Sequence, residues 1–168
     1  LMVMKRLYGE DKIRRFLKYE LDQYLSQRKG EAVEELPLNR VENQPYIHYR
    51  KGSVAMYLLQ ERLGEETVNR ALSRFAAKYR FKGAPYVRSL DLTAEFRKEA
   101  TTAEQQHMIT DLFERITIYD LKVKDAQTRR DGDGWVTTVT VAAGKFYADG
   151  KGAEKPARLA GPIEVGLV

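Results

Sequence analysis

The chain has no cysteine and only two histidines in its 168 residues. The first absence rules out disulfide frameworks, thiolate metal sites and a cysteine nucleophile. The second leaves little for a metal. His48 and His107 stand 59 positions apart and neither opens an HExxH helix, whereas a zinc site needs three or four converging ligands. His48 reads as a surface or interface side chain beside an aromatic cluster, and His107 as an exposed helix position. No run of about 18 apolar residues occurs and no charged-then-apolar leader opens the chain, so these residues contain neither a membrane span nor a signal peptide and are expected to be soluble. Also missing are a glycine-rich phosphate loop after a strand, a serine nucleophile elbow and any internal repeat.

What is present is a globular composition, 43 % hydrophobic, with a net charge of +5 from 29 basic and 24 acidic residues. The signs interleave, as in Lys18-Tyr19-Glu20 and Glu61-Arg62, which marks solvated helix surface. The basic residues Lys5, Arg6, Lys12, Arg14, Arg15 and Lys18 are read the same way, and no nucleic-acid partner is expected. Leu1 to Tyr8 has helical composition without a cap and without an initial Met, so the chain reads as a piece of something longer.

From Glu10 to about Arg28, Ile13, Phe16, Leu17, Leu21, Tyr24 and Leu25 recur at helical steps and predict an amphipathic helix. Lys29 to Pro45, with Gly30, Pro37 and Pro45, reads as an extended connection across the surface. A helix from about Tyr46 to Leu63, apolar on most sides, is expected inside a bundle and to stop at Gly64. Glu65 and Glu66 then open a helix whose inward face is Val68, Ala71, Leu72, Phe75, Ala76 and Tyr79. Ser89 or Asp91 can cap a short helix to Ala100, and Thr102 with Gln105 forms a capping-box pattern for a helix to about Arg115.

At Ile116 the period changes to two. Tyr119, Leu121 and Val123 alternate with Asp120, Lys122 and Lys124, and Trp135, Thr137, Val139 and Val141 repeat the pattern. These strands turn at Asp131-Gly132-Asp133-Gly134, which lacks the glutamate of a calcium loop and reads as a hairpin. Gly144 to Ala148 and Ile163 to Val168 are further strand candidates. The expected class is α+β, an N-terminal antiparallel helical bundle followed by an incomplete antiparallel β-sheet or sandwich. The division falls between residues 1–115 and 116–168.

One segment carries chemistry. Tyr49-Arg50-Lys51-Gly52, followed by the apolar helix and Leu63-Gly64-Glu65-Glu66, resembles the Tyr-x-Lys-Gly segment of zinc aminopeptidases of the membrane alanyl aminopeptidase (gluzincin) family. Tyr79-Arg80-Phe81 and the stretch Asp91 to Phe96 stand where that family has an aromatic loop and a capped helix. The first helices look like those of bacterial members fused behind ABC-transporter permease segments. The resemblance implies a fragment comprising helices of the catalytic domain without the zinc-binding helix, then the start of the trailing β-domain. It implies a parent that is membrane-associated and removes N-terminal residues from peptide substrates with a zinc ion held by an upstream part of the same chain. This fragment would hold no cofactor or metal and be inactive as cut.

Tyr49 is the catalytic candidate. A phenol with its ordinary pKa near 10 stays protonated at neutral pH and can donate a hydrogen bond to the oxyanion formed when a peptide carbonyl is attacked. Arg50 departs from the family, which commonly has an acidic residue there. Lys51 and Gly52 have non-catalytic explanations, Gly52 by admitting a neighbouring backbone closely. The rival reading is a non-catalytic helical scaffold or interaction module of a membrane transporter assembly. An exposed edge strand at Ile163 to Val168 would offer a route to self-association.

Overall fold

The computed structural model describes residues 2–163, 165 and 166. Helical periodicity and end signals produce six α-helices among them: α1 (Met2–Tyr8), α2 (Glu10–Gly30), α3 (Gly52–Leu63), α4 (Glu65–Tyr79), α5 (Ser89–Glu99) and α6 (Ala103–Ile109). Three strands follow, β1 (Ile116–Asp131), β2 (Gly134–Ala148) and β3 (Glu154–Ala157), so the class is α+β. The chain divides into two compact units, Leu1–Ile116 and Thr117–Val168.

In the helical unit the ends of the elements follow local chemistry. Gly64, at φ 89°, ends α3 and lets α4 begin at the next residue, a conformation that glycine adopts without Cβ strain. Thr102 and Gln105 form the expected capping box, with Gln105 N–H donating to the Thr102 hydroxyl over 3.1 Å and Thr102 N–H to the Gln105 side chain over 3.2 Å. At α5 the cap differs from expectation. The helix starts after Arg88, whose N–H donates to the Asp91 carboxylate over 2.9 Å, so Asp91 acts from inside the first turn.

The main core joins four helices through Leu59, Val68, Ala71, Phe96, Ala100, Ile109 and Phe113, with the Phe96 and Phe113 rings 5.7 Å apart. Around it, Arg74 of α4 donates to the Glu95 carboxylate of α5 over 3.2 Å, and Arg97 of α5 donates to Glu114 over 2.7 Å and to the Gln106 side chain over 2.8 Å. A second cluster, Tyr24, Tyr46 and Ile47 with Leu38 and Val41, ties α2 to the connection and to the residues before α3.

That second cluster corrects two expectations. On α2, Ile13 and Tyr24 are buried as expected, but Leu21 and Leu25 are exposed and Glu20 turns inward. The stretch between α2 and α3 does not merely cross the surface. It forms a short 3-10 helix at Leu38–Arg40 and buries Glu35, Asn39 and Gln44.

The second unit is a three-stranded antiparallel sheet in the order β1-β2-β3. Gly132, at φ 60°, makes the tight reversal between β1 and β2, and the Thr128 and Thr137 hydroxyls meet across the pair at 3.0 Å. Gly144 to Ala148 is the end of β2, and there Phe146 pairs with Pro156 and Lys145 with Ala157 of β3. Pro156 lies within a strand, a place that proline usually avoids. It is tolerated because β3 is an edge, where a residue without an N–H costs no inward ladder bond. The strand expected at Ile163 to Val168 is not formed at Ile163, Val165 or Gly166, and Glu164, Leu167 and Val168 lie outside the described residues.

Candidate functional site

Tyr49 lies in a π-helical turn, Tyr46–Lys51, which runs directly into α3. Such wide turns recur at functional sites because they redirect side chains that an α-helical turn would stack. Pro45 precedes the turn in helical conformation, where its missing N–H leaves nothing unbonded. The Gln44 carbonyl accepts from Ile47 N–H over 3.0 Å, and Gly52 N–H reaches back to the Ile47 carbonyl.

The Tyr49 side chain is 67 % exposed, with the His48 ring tilted against it at 4.6 Å. It borders a depression of about 270 Å3 that is also lined by Glu20, Pro45, Tyr46, Arg50 and Ser53. Its backbone carbonyl accepts from the Ser53 hydroxyl over 2.7 Å. Arg50, the departure from the family pattern, donates to the buried Glu20 carboxylate of α2 over 2.9 Å, and its guanidinium lies 5.5 Å from the Tyr19 ring centre.

Lys51, at the end of the turn, joins a buried ionic cluster whose members are far apart in the sequence. Glu35 accepts from the Tyr24 hydroxyl over 2.7 Å and from Arg28 Nε over 2.6 Å. Lys51 Nζ is 4.0 Å from the same carboxylate and 5.3 Å from the Tyr24 ring centre. The Tyr24 and Tyr46 rings stack at 6.0 Å. Burying a lone carboxylate is costly, and the two charge-assisted bonds from α2 offset that cost.

Burial governs the titration of the group, and the carboxylate that the two cations share modifies it. Burial pulls the Lys51 ammonium down to about 8, Glu35 opposing the shift and Arg28 adding to it. Burial pushes the Tyr46 phenol up to about 12, reinforced by the charges of Glu35 and Glu31. The Tyr24 phenol is pushed well above its ordinary range, first by burial and then by the charge and hydrogen bond of Glu35. Among the described residues, Lys51 Nζ and the Tyr46 hydroxyl are buried without a hydrogen-bond partner.

Gly52 does not serve the role expected of it. Its backbone is helical, at φ −58°, and a Cβ there would meet Leu38 at 3.6 Å and the Ile47 carbonyl at 3.7 Å, ordinary contact distances. His48 is exposed, and His107, on α6, lies 3.7 Å from Asp111. Among the described residues no group of three or more His, Asp or Glu side chains is placed to hold a metal, so the zinc implied by the resemblance finds no ligand set here. No described helix is long and apolar enough to cross a membrane.

The chain is 27 % identical over 117 residues to aminopeptidase M1-B of Oryza sativa subsp. japonica, an alignment covering 62 % of this chain and 13 % of that protein. The relationship is a distant, aminopeptidase-like one, and the chain spans about an eighth of the relative's length. No family model and no solved structure matches the chain.

Proposed function

We propose that these residues are part of a zinc aminopeptidase that removes N-terminal residues from peptides, and that Tyr49 is its oxyanion-stabilising hydrogen-bond donor. The observation that carries the reading is the contrast among neighbouring tyrosines. Tyr24 and Tyr46 are buried, whereas Tyr49 projects from a braced turn beside an open depression. A donor aimed at developing negative charge is worth about 3 to 4 kcal/mol in the transition state. In this reading zinc and the general base come from a part of the parent outside these residues, and among the described residues no group of three or more His, Asp or Glu side chains is placed to hold a metal. Residues 1–115 then belong to the helical part of the catalytic domain and 116–168 to the start of the trailing β-domain. The resemblance to permease-fused bacterial proteins gives the parent a membrane setting. The segment alone would be inactive.

The test is hydrolysis of alanine p-nitroanilide by the intact parent, with and without a zinc chelator. Chelator-sensitive release of p-nitroaniline supports the reading, and its absence in a zinc-loaded preparation contradicts it.

A second reading, that of an interaction module, has one observation in its favour. Tyr119, Leu121 and Val123 of β1 and Trp135 of β2 are all exposed, on a sheet whose β1 edge has no neighbouring strand among the described residues.

A further inference from the structure

We infer that Lys51 and Glu35 are positioning residues for Tyr49, the buried pair holding the π-helical turn in the register from which the phenol projects. The inference rests on the reading of Tyr49 as a hydrogen-bond donor.

Tyr49, Arg50 and Lys51 are consecutive, so their side chains leave the turn in three different directions. Two of those directions are tied. Arg50 binds Glu20 over 2.9 Å, and Lys51 faces Glu35 at 4.0 Å. Glu35 is itself held by Tyr24 and Arg28, so both ties end on α2, a single helix of 21 residues. With two of three directions anchored to one rigid element and the Tyr49 carbonyl bound by Ser53, the third direction is set.

A buried ammonium is a poor way to fill space. An apolar side chain of similar length would avoid the desolvation cost. What the charge adds is register. If the turn relaxed from the π to the α spacing, the side chains after it would rotate about the helix axis and Lys51 would leave Glu35, stranding an unpaired charge in the interior. An apolar side chain would tolerate that slip. Buried polar groups are best attested in this role, selecting one register among several that pack equally well.

The experiment uses the 168-residue chain labelled with 3-fluorotyrosine, in which the 19F line of Tyr49 among ten tyrosines is identified by its loss in Tyr49→Phe. Lys51→Met is expected to move the Tyr49 line or split it into more than one environment, while the line of Tyr79 at the end of α4 stays in place. Glu35→Gln is expected to move it in the same way, and the double variant no further than either single one, since both remove the same tie. Should Lys51→Met fail to fold, Glu35→Gln decides, because its amide oxygen still accepts from Arg28 Nε and its amide N–H can donate to the Tyr24 hydroxyl. A Tyr49 line unmoved in the folded variants overturns the inference. In the zinc-loaded parent the same variants should lower kcat on alanine p-nitroanilide about 10- to 100-fold with little change in KM. A moved line with full kcat contradicts the catalytic reading of Tyr49 and leaves the brace standing, whereas an unmoved line overturns the brace whatever the kcat.

Discussion

Lys51 Nζ lies 4.0 Å from the Glu35 carboxylate and, among the described residues, donates no hydrogen bond to it or to any other group. The ammonium is therefore held by the charge of Glu35 and by the Tyr24 ring, in a site whose other cation, Arg28, holds the same carboxylate at 2.6 Å.

That relationship fixes a pH dependence. Lys51 has its native pKa lowered from 10.5 to about 8, so between those values the unfolded chain binds more protons than the native one, and stability rises with pH across that window. Tyr24 and Tyr46, pushed above their ordinary value, work the other way, because above about pH 10 the native state keeps protons that the unfolded chain has lost. Comparison with Lys51→Met separates the two effects. The unfolding free energy of wild type minus that of the variant should rise by on the order of 2 to 3 kcal/mol between about pH 7.5 and 10.5, measured by urea titration. A difference that stays flat or falls contradicts the assignment.

Gly52→Ala tests the backbone directly. The position is helical and a methyl group finds ordinary contact distances, so the substitution should stabilise by about 0.4 to 1 kcal/mol through the unfolded chain. A destabilised variant would show that the turn needs glycine for a close approach that the structure does not contain.

The local features of the fold were the legible ones. Thr102 and Gln105 announce their helix because both halves of the capping box lie three residues apart. The inward turn of Glu20 on α2 was hidden, because its partner Arg50 is 30 positions away, and a hydrophobic count favours Leu21 and Leu25 instead. Glu35 was hidden for the same reason, sitting in a stretch whose prolines and glycine read as loop while its hydrogen bonds run back to α2. Pro156 concealed β3, since a proline argues against a strand until the strand is known to be an edge. For the candidate site, the Tyr49 motif was visible in the sequence. The π-helical geometry and the ionic brace were not, since both depend on residues brought together by folding.

Thr102→Ala removes one half of the capping box and should cost about 1 kcal/mol. For a chain of this length that is a fall in Tm of roughly 2 to 4 °C by calorimetry. An unchanged Tm would mean that the other half of the box, the Gln105 side chain accepting from the N–H groups of residues 101 and 102, holds the helix start without the hydroxyl.

Phe96→Ala should be the most damaging of these changes. Its side chain is fully buried among four helices and against Phe113, and truncation leaves a cavity in the main core costing about 3 to 5 kcal/mol. Chemical denaturation of the variant checks the value, and a loss under about 1 kcal/mol would contradict the packing described.

In the proposed function, Tyr49 donates a hydrogen bond in the transition state of amide hydrolysis. The most direct measurement is steady-state kinetics of Tyr49→Phe in the zinc-loaded parent, with zinc content determined on the same sample. With Tyr49 as the oxyanion donor, kcat falls about 10²- to 10³-fold with zinc content unchanged. A near-normal kcat in that variant would contradict it.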